Sequence, residues 1–138
     1  QVFAEQYRAG TVELELVPQG TLVERIRAGG AGLGGFLSPV GVGTVFEHGK
    51  QKINVGGRDF LLELPLKADF AFVKGKCADA FGNVTYNMTA RNHCQVMATA
   101  ANTVAIEVDR IVEVGELDPE SIVTPCIFVD RVFERGLQ

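Results

Sequence analysis

Along Thr11 to Val17, TVELELV, the apolar residues Val12, Leu14 and Leu16 alternate with Glu13 and Glu15. A period of two predicts a strand with one buried face. Pro18, Gln19 and Gly20 end the alternation, and Thr21 with Glu24 three residues on has the form of a capping box. The apolar positions Leu22, Val23 and Ile26 then predict a short helix running to Arg27 and stopping at Gly29. Beyond a glycine-rich stretch, Thr44 to His48 has the pattern of a strand. KINV and RDFLLE are two further strands, joined at Gly56-Gly57 by a two-residue hairpin turn.

Ala68 to Lys74, ADFAFVK, is nearly continuous in apolar residues, and Thr103 to Val108, TVAIEV, is another such run. Strands of that kind are expected in a parallel sheet covered on both faces. Between them, Ala80-Phe81-Gly82-Asn83 predicts a turn into a short strand, VTYN, and the alanine-rich window Asn92 to Ala101 predicts a helix capped by Asn92. Strand, helix and strand in that order predict a right-handed crossover. An acidic loop, VEVGELDPES, leads to a last apolar stretch, Ile127 to Val132. The expected fold class is α/β: a mostly parallel sheet flanked by helices, with a β-hairpin excursion.

A length of 138 residues suits one domain, residues 1–138, with a core that needs neither disulfides nor metal. Hydrophobic residues at 46% and charged residues at 22% exclude the disordered class. Net charge is −4, and no Lys/Arg cluster stands out, which argues against nucleic acid and anionic membrane surfaces as partners. The longest uncharged run, Ala28 to Phe46, is too rich in glycine for a membrane span. Cys77, Cys94 and Cys126 fit neither a paired disulfide framework nor C-x-x-C metal sites. Reduced, buried thiols in a cytoplasmic protein are expected, and no signal-peptide pattern is read in the first residues.

Seven of the sixteen glycines fall between Gly29 and Gly43, where average usage gives about one. Such density calls for a backbone reason: positive φ, or the close approach of a ligand or another backbone. A flexible connector is the plain alternative, but Leu33, Phe36, Leu37 and Pro39 in the same stretch favour burial. Gly30 to Gly35 also matches G-x-G-x-x-G. That fingerprint needs a strand before it and a helix after it, whereas here a helix precedes and Ser38-Pro39 follows, so a dinucleotide site is disfavoured.

Longer motifs carry a resemblance. PQGTLVERIRAGGAGLGGFLSPVGVGT at Pro18 to Thr44, ADFAFVKG and AFGNVTY within Leu61 to Tyr86, TARN at Thr89 to Asn92 and GELDPESIVTP at Gly115 to Pro125 resemble the α subunit of family I CoA-transferases. The likeness is to acetate or acetoacetate CoA-transferase, with succinyl-CoA:3-oxoacid CoA-transferase a relative. It covers essentially the whole chain and implies a CoA-transferase-like α/β fold. Such α subunits carry a further N-terminal glycine-rich motif that is not found here, so the expectation is the C-terminal portion of an α subunit. The implied partners are a β subunit, in an α2β2 or similar oligomer, with acyl-CoA and short-chain carboxylic acids as substrates. Coenzyme A enters as part of the substrate, and no cofactor or metal is implied.

In that family a glutamate from the β subunit is the nucleophile that attacks the acyl-CoA thioester, a case of covalent catalysis. The glutamate–asparagine–glycine motif around that nucleophile is missing here, so no residue of this chain is assigned a catalytic role. Glu13, Glu15, Glu24 and Glu63 are read as solvated strand and helix faces. The resemblance implies that Gln19 donates its amide to a carboxylate or thioester oxygen; a turn-capping side chain is the other reading. The loop Gly32 to Phe36, through Gly32, Gly34, Gly35 and Phe36, is expected to line the acyl pocket or else to pack in a subunit interface. Arg91 could pair with a carboxylate or phosphate, but a helix start with Asn92 as cap is favoured. His48 and His93 have no partner at ligand spacing, and Cys94 beside His93 is no evidence of a nucleophile–base pair. Two other classes stay open: a non-catalytic binding or assembly module whose glycine loop only packs on a partner, and, more distantly, a sugar-phosphate isomerase-like domain.

Overall fold

A computed structural model describes residues 2–136. Helix α1 (Val2–Arg8) buries none of its residues. The segment 11–17 that follows forms no ladder with any described strand. The expected strand is therefore absent: alternation sets which side chains share a face, but a strand also needs a hydrogen-bonding neighbour.

Helix α2 (Gln19–Gly30) begins two residues before the expected capping box. Pro18 is its N-cap, at φ −55° and ψ 137°, and the first intrahelical bond runs from Leu22 N–H to Pro18 O at 2.9 Å. Thr21 thus lies inside the first turn and caps nothing, while Glu24 pairs with Arg27 instead. The helix ends in a Schellman motif: Gly32 N–H donates to Gly29 O and Leu33 N–H to Ala28 O, with Gly32 at φ +70°.

Strands β1 (Phe36–Ser38), β2 (Lys52–Val55) and β3 (Arg58–Glu63) form an antiparallel sheet in the order β1-β3-β2. The hairpin between β2 and β3 is as expected, with Gly56 at φ +59° and Gly57 at φ +82°. The expected strand at Thr44 to His48 is instead a 3₁₀ turn, Val45–Glu47, because the Thr44 hydroxyl accepts from Phe46 N–H and closes the chain locally.

The second sheet is wholly parallel, in the order β4 (Ala68–Lys74), β7 (Ala101–Val108), β9 (Arg131–Glu134). Ala71 stands opposite Val104 and Val73 opposite Ile106. A third, mixed sheet joins β5 (Cys77–Asp79) to β6 (Val84–Thr85) antiparallel and to β8 (Arg110–Val112) parallel. Between β6 and β7 lies α3 (Ala90–Thr99), which starts earlier than expected. Asn92 N–H bonds Thr89 O, so Asn92 sits within the helix rather than at its cap. The core gathers Ala71, Val73, Ala78, Val84, Ala98, Val104, Ile106 and Val108 between α3 and these strands.

Only one face of β4 is covered. Phe70 and Phe72 are 62% and 75% exposed and stack with ring centroids 6.4 Å apart, so the expectation of burial on both faces fails at this strand. An apolar run is compatible with a strand covered on both faces but does not by itself place an element of this chain over each face. The three cysteines are unpaired, as expected, but half-buried rather than buried.

Candidate functional site

The N-terminus of α2 and strand β1 enclose a cleft of about 440 Å³, lined among others by Pro18, Gln19, Gly20, Thr21, Phe36 and Ser38. Proline positions it: with φ already near the helical value, Pro18 admits the chain to α2 at Gln19, so that side chain projects from the first helical position. The opposite wall is set by register. Phe36 pairs with Glu63 on β3, which fixes the half-buried ring beside α2.

Of the five residues singled out in the sequence, the structure brings Gln19 and Phe36 into this one cleft. Gly32, Gly34 and Gly35 do not line it. Gly32 terminates α2, and a Cβ at Gly34 would meet nothing within 4 Å. Gly35, at φ +148°, presses against β3, where a Cβ would lie 2.7 Å from Glu63 O. Two glycines at the end of α2 are packed as tightly: a Cβ at Gly29 would collide with Leu66 O, and one at Gly30 with the Thr99 hydroxyl. Most of the glycine density thus has a backbone cause within this chain.

Thr21 was missed as a site residue because Glu24 three residues on gave it the look of a cap. It is 4% exposed, lines the cleft, and its Oγ1 has no hydrogen-bond partner among the described residues. Glu24, a carboxylate in the same lining, is exposed and pairs with Arg27 at 3.2 Å. The arrangement is suited to an anion: the positive end of a helix dipole, a glutamine amide and a threonine hydroxyl.

The other singled-out residues lie elsewhere. Arg91 donates from Nε to Tyr86 O at 3.2 Å and so braces the start of α3. Glu63 is 2% exposed and bonded to Lys50, against the expectation of a solvated face. Its side chain alternates inward with Leu61 on β3, where Lys50 can reach it. Among the described residues no group of three or more His, Cys, Asp or Glu is placed to hold a metal ion, and no helix is long and apolar enough to cross a membrane.

A parallel β4-β7-β9 ladder, α3 packed on one face and a cleft at the N-terminus of α2 make this an α/β protein. The Coenzyme A transferase family profile matches residues 1–135, and the chain belongs to that family. It is 55% identical over 131 residues to one of the subunits of 3-oxoadipate CoA-transferase from Pseudomonas putida, covering 95% of this chain and 57% of that one. It is 51% identical over 124 residues to the alpha subunit of acetate CoA-transferase from Escherichia coli K12, covering 90% of this chain and 56% of that one. The chain therefore spans little more than half the length of these relatives. In fold it resembles the acyl-CoA transferase apoenzyme of Escherichia coli O157:H7, with a TM-score of 0.85 at 22% identity over 94% of this chain and 29% of that one.

Proposed function

We propose that the chain is part of the α subunit of a short-chain acyl-CoA:carboxylate CoA-transferase of the acetate/acetoacetate type, and that its α2 cleft receives the acid. Both relatives are named as single subunits of CoA-transferases, in one case the alpha subunit, which supports a second, β, subunit in partnership with this one. An α2β2 or similar assembly in the cytoplasm fits this reading. The single observation that carries it is the union of Gln19 and Phe36 in one cleft at the N-terminus of α2.

The chemistry divides between two polypeptides. A β-subunit glutamate attacks the acyl-CoA carbonyl, forming an acyl-glutamyl anhydride and releasing CoA thiolate. The thiolate then attacks the glutamyl carbonyl, the donor acid leaves as carboxylate, and a glutamyl-CoA thioester remains. An incoming carboxylate runs the same two steps in reverse. In this scheme the Gln19 amide donates to the acid's carboxylate or to the developing oxyanion, and Phe36 limits chain length; Gly32, Gly34 and Gly35 hold the loop that carries Phe36. Coenzyme A is consumed and regenerated as substrate, with no further cofactor.

The test is reconstitution. Full-length α and β subunits, mixed, should transfer CoA from acetyl-CoA to members of a panel holding acetoacetate, butyrate and 3-oxoadipate. Gln19→Ala should lower kcat/KM by about 100-fold, the scale of one lost oxyanion donor. No transfer to any acid from the wild-type pair would defeat the proposal.

A further inference from the structure

We infer that Thr21 is a specificity-determining residue that donates its hydroxyl to the substrate carboxylate, alongside the unbonded amides of the first turn of α2. The inference rests on the CoA-transfer reading for the identity of the anion, and its geometry stands independently. Three observations converge at one place.

Helix α2 has no side-chain cap, because its N-cap is Pro18. Its first intrahelical bond starts at Leu22 N–H, so the amides of Gln19, Gly20 and Thr21 precede the ladder. Next, Thr21 Oγ1 is a buried hydroxyl without a partner among the described residues, in a residue 4% exposed. Buried polar atoms are nearly always bonded, so an orphan beside a cleft marks a place where a ligand completes the set. Lastly, Thr21 lines the same cleft as Gln19 and Gly20. A carboxylate has two oxygens and about four lone-pair directions, enough for a glutamine amide, a hydroxyl and backbone N–H groups together. The acyl tail of the acid then lies toward Phe36, across the cleft.

A hydroxyl that serves the carboxylate acts on acid binding and leaves the CoA moiety alone. The full-length subunit, assembled with its β partner, should be compared as wild type, Thr21→Val and Thr21→Ser. Calorimetric titration with acetoacetate should show Thr21→Val weakened about tenfold, the scale of one hydrogen bond to a charged group, with Thr21→Ser within about threefold of wild type. In turnover, KM for the acid should rise in Thr21→Val while KM for acetyl-CoA stays within about twofold. Acetoacetate binding equal in wild type and Thr21→Val overturns the inference, as does a wild-type assembly that binds no acid. If the wild type binds acid but transfers no CoA, the reaction assignment fails and the titrations still decide the role of Thr21.

Discussion

Lys50 Nζ lies 2.6 Å from Glu63 Oε1, and the Glu63 side chain is 2% exposed. The pair sits under the cleft wall, because Glu63 is the β3 partner of Phe36 and its carbonyl is the atom against which Gly35 packs. A carboxylate this deep depends on its cation. Lys50→Met should therefore cost about 3 kcal/mol, since it strands a buried charge, whereas the double replacement Lys50→Met with Glu63→Leu should recover most of that loss. Urea unfolding of the three proteins checks it; a single variant as stable as wild type would show that the pair holds nothing.

Gly30 and Gly34 should respond in opposite ways to an added methyl group. A Cβ at Gly30 would also lie 2.8 Å from Thr99 Cβ and 2.9 Å from Thr99 O, which locks α2 against the end of α3. Gly30→Ala must push the helices apart and should cost about 1–3 kcal/mol. Gly34 has open space around it and no left-handed φ, so Gly34→Ala should be neutral or stabilising by about 0.5 kcal/mol. Thermal melts of both variants give the comparison. If Gly34→Ala nonetheless lowers turnover in the assembled enzyme, the loop meets substrate directly; unchanged turnover would limit its part to carrying Phe36.

What could be read from the residues depended on how local the cause was. The Gly56-Gly57 hairpin was legible because both glycines meet a requirement set by the turn itself, and the paired runs at β4 and β7 because β-branched and aromatic residues favour strands, even though the aromatic face of β4 stays exposed. The start of α2 was misread because Thr21 and Glu24 imitate a capping box, while the fixed φ of Pro18 starts the helix earlier. The segment 11–17 has strand alternation without a strand partner among the described residues, a property no single segment can reveal. Glu63 looked solvated because its charge was weighed and its inward phase on β3, shared with buried Leu61, was not. At the site, Gln19 and Phe36 were found through a motif, whereas Thr21 required knowing that its hydroxyl goes unmet.

Asp79 supplies a pH dependence with a defined sign. Burial alone pushes its carboxyl pKa up, but donors from the Asn83 side chain at 2.8 Å and from the backbone of Asn83 and Phe81 outweigh that and hold it below the ordinary value. A folded-state pKa below the unfolded one means stabilisation that is complete above the unfolded value of about 4 and is lost as pH falls through the folded value. Asp79→Asn should cost about 2 kcal/mol near neutral pH, and the gap to wild type should close below about pH 4. Urea midpoints measured from about pH 7 down to about pH 2.5 follow this directly. A gap that stays constant over the whole range would mean that the charge of Asp79 contributes nothing to the turn.

Thr21 separates stability from function. Its buried hydroxyl gives up hydration and receives no hydrogen bond in return, so the free protein carries a local cost at the mouth of α2. Valine has the same branched shape and nearly the same helix propensity, and it leaves no polar atom behind. Thr21→Val should therefore unfold at a higher temperature than wild type, by the equivalent of about 1 kcal/mol, when melted without acid. Adding acetoacetate should raise the wild-type melting temperature more than that of the variant, because a ligand that binds only the folded form stabilises it more the tighter it binds. The two melting curves should thus approach each other as acid is added. A variant less stable than wild type without ligand would show that the hydroxyl is bonded within the folded chain, and the reason for assigning it to the substrate would be gone.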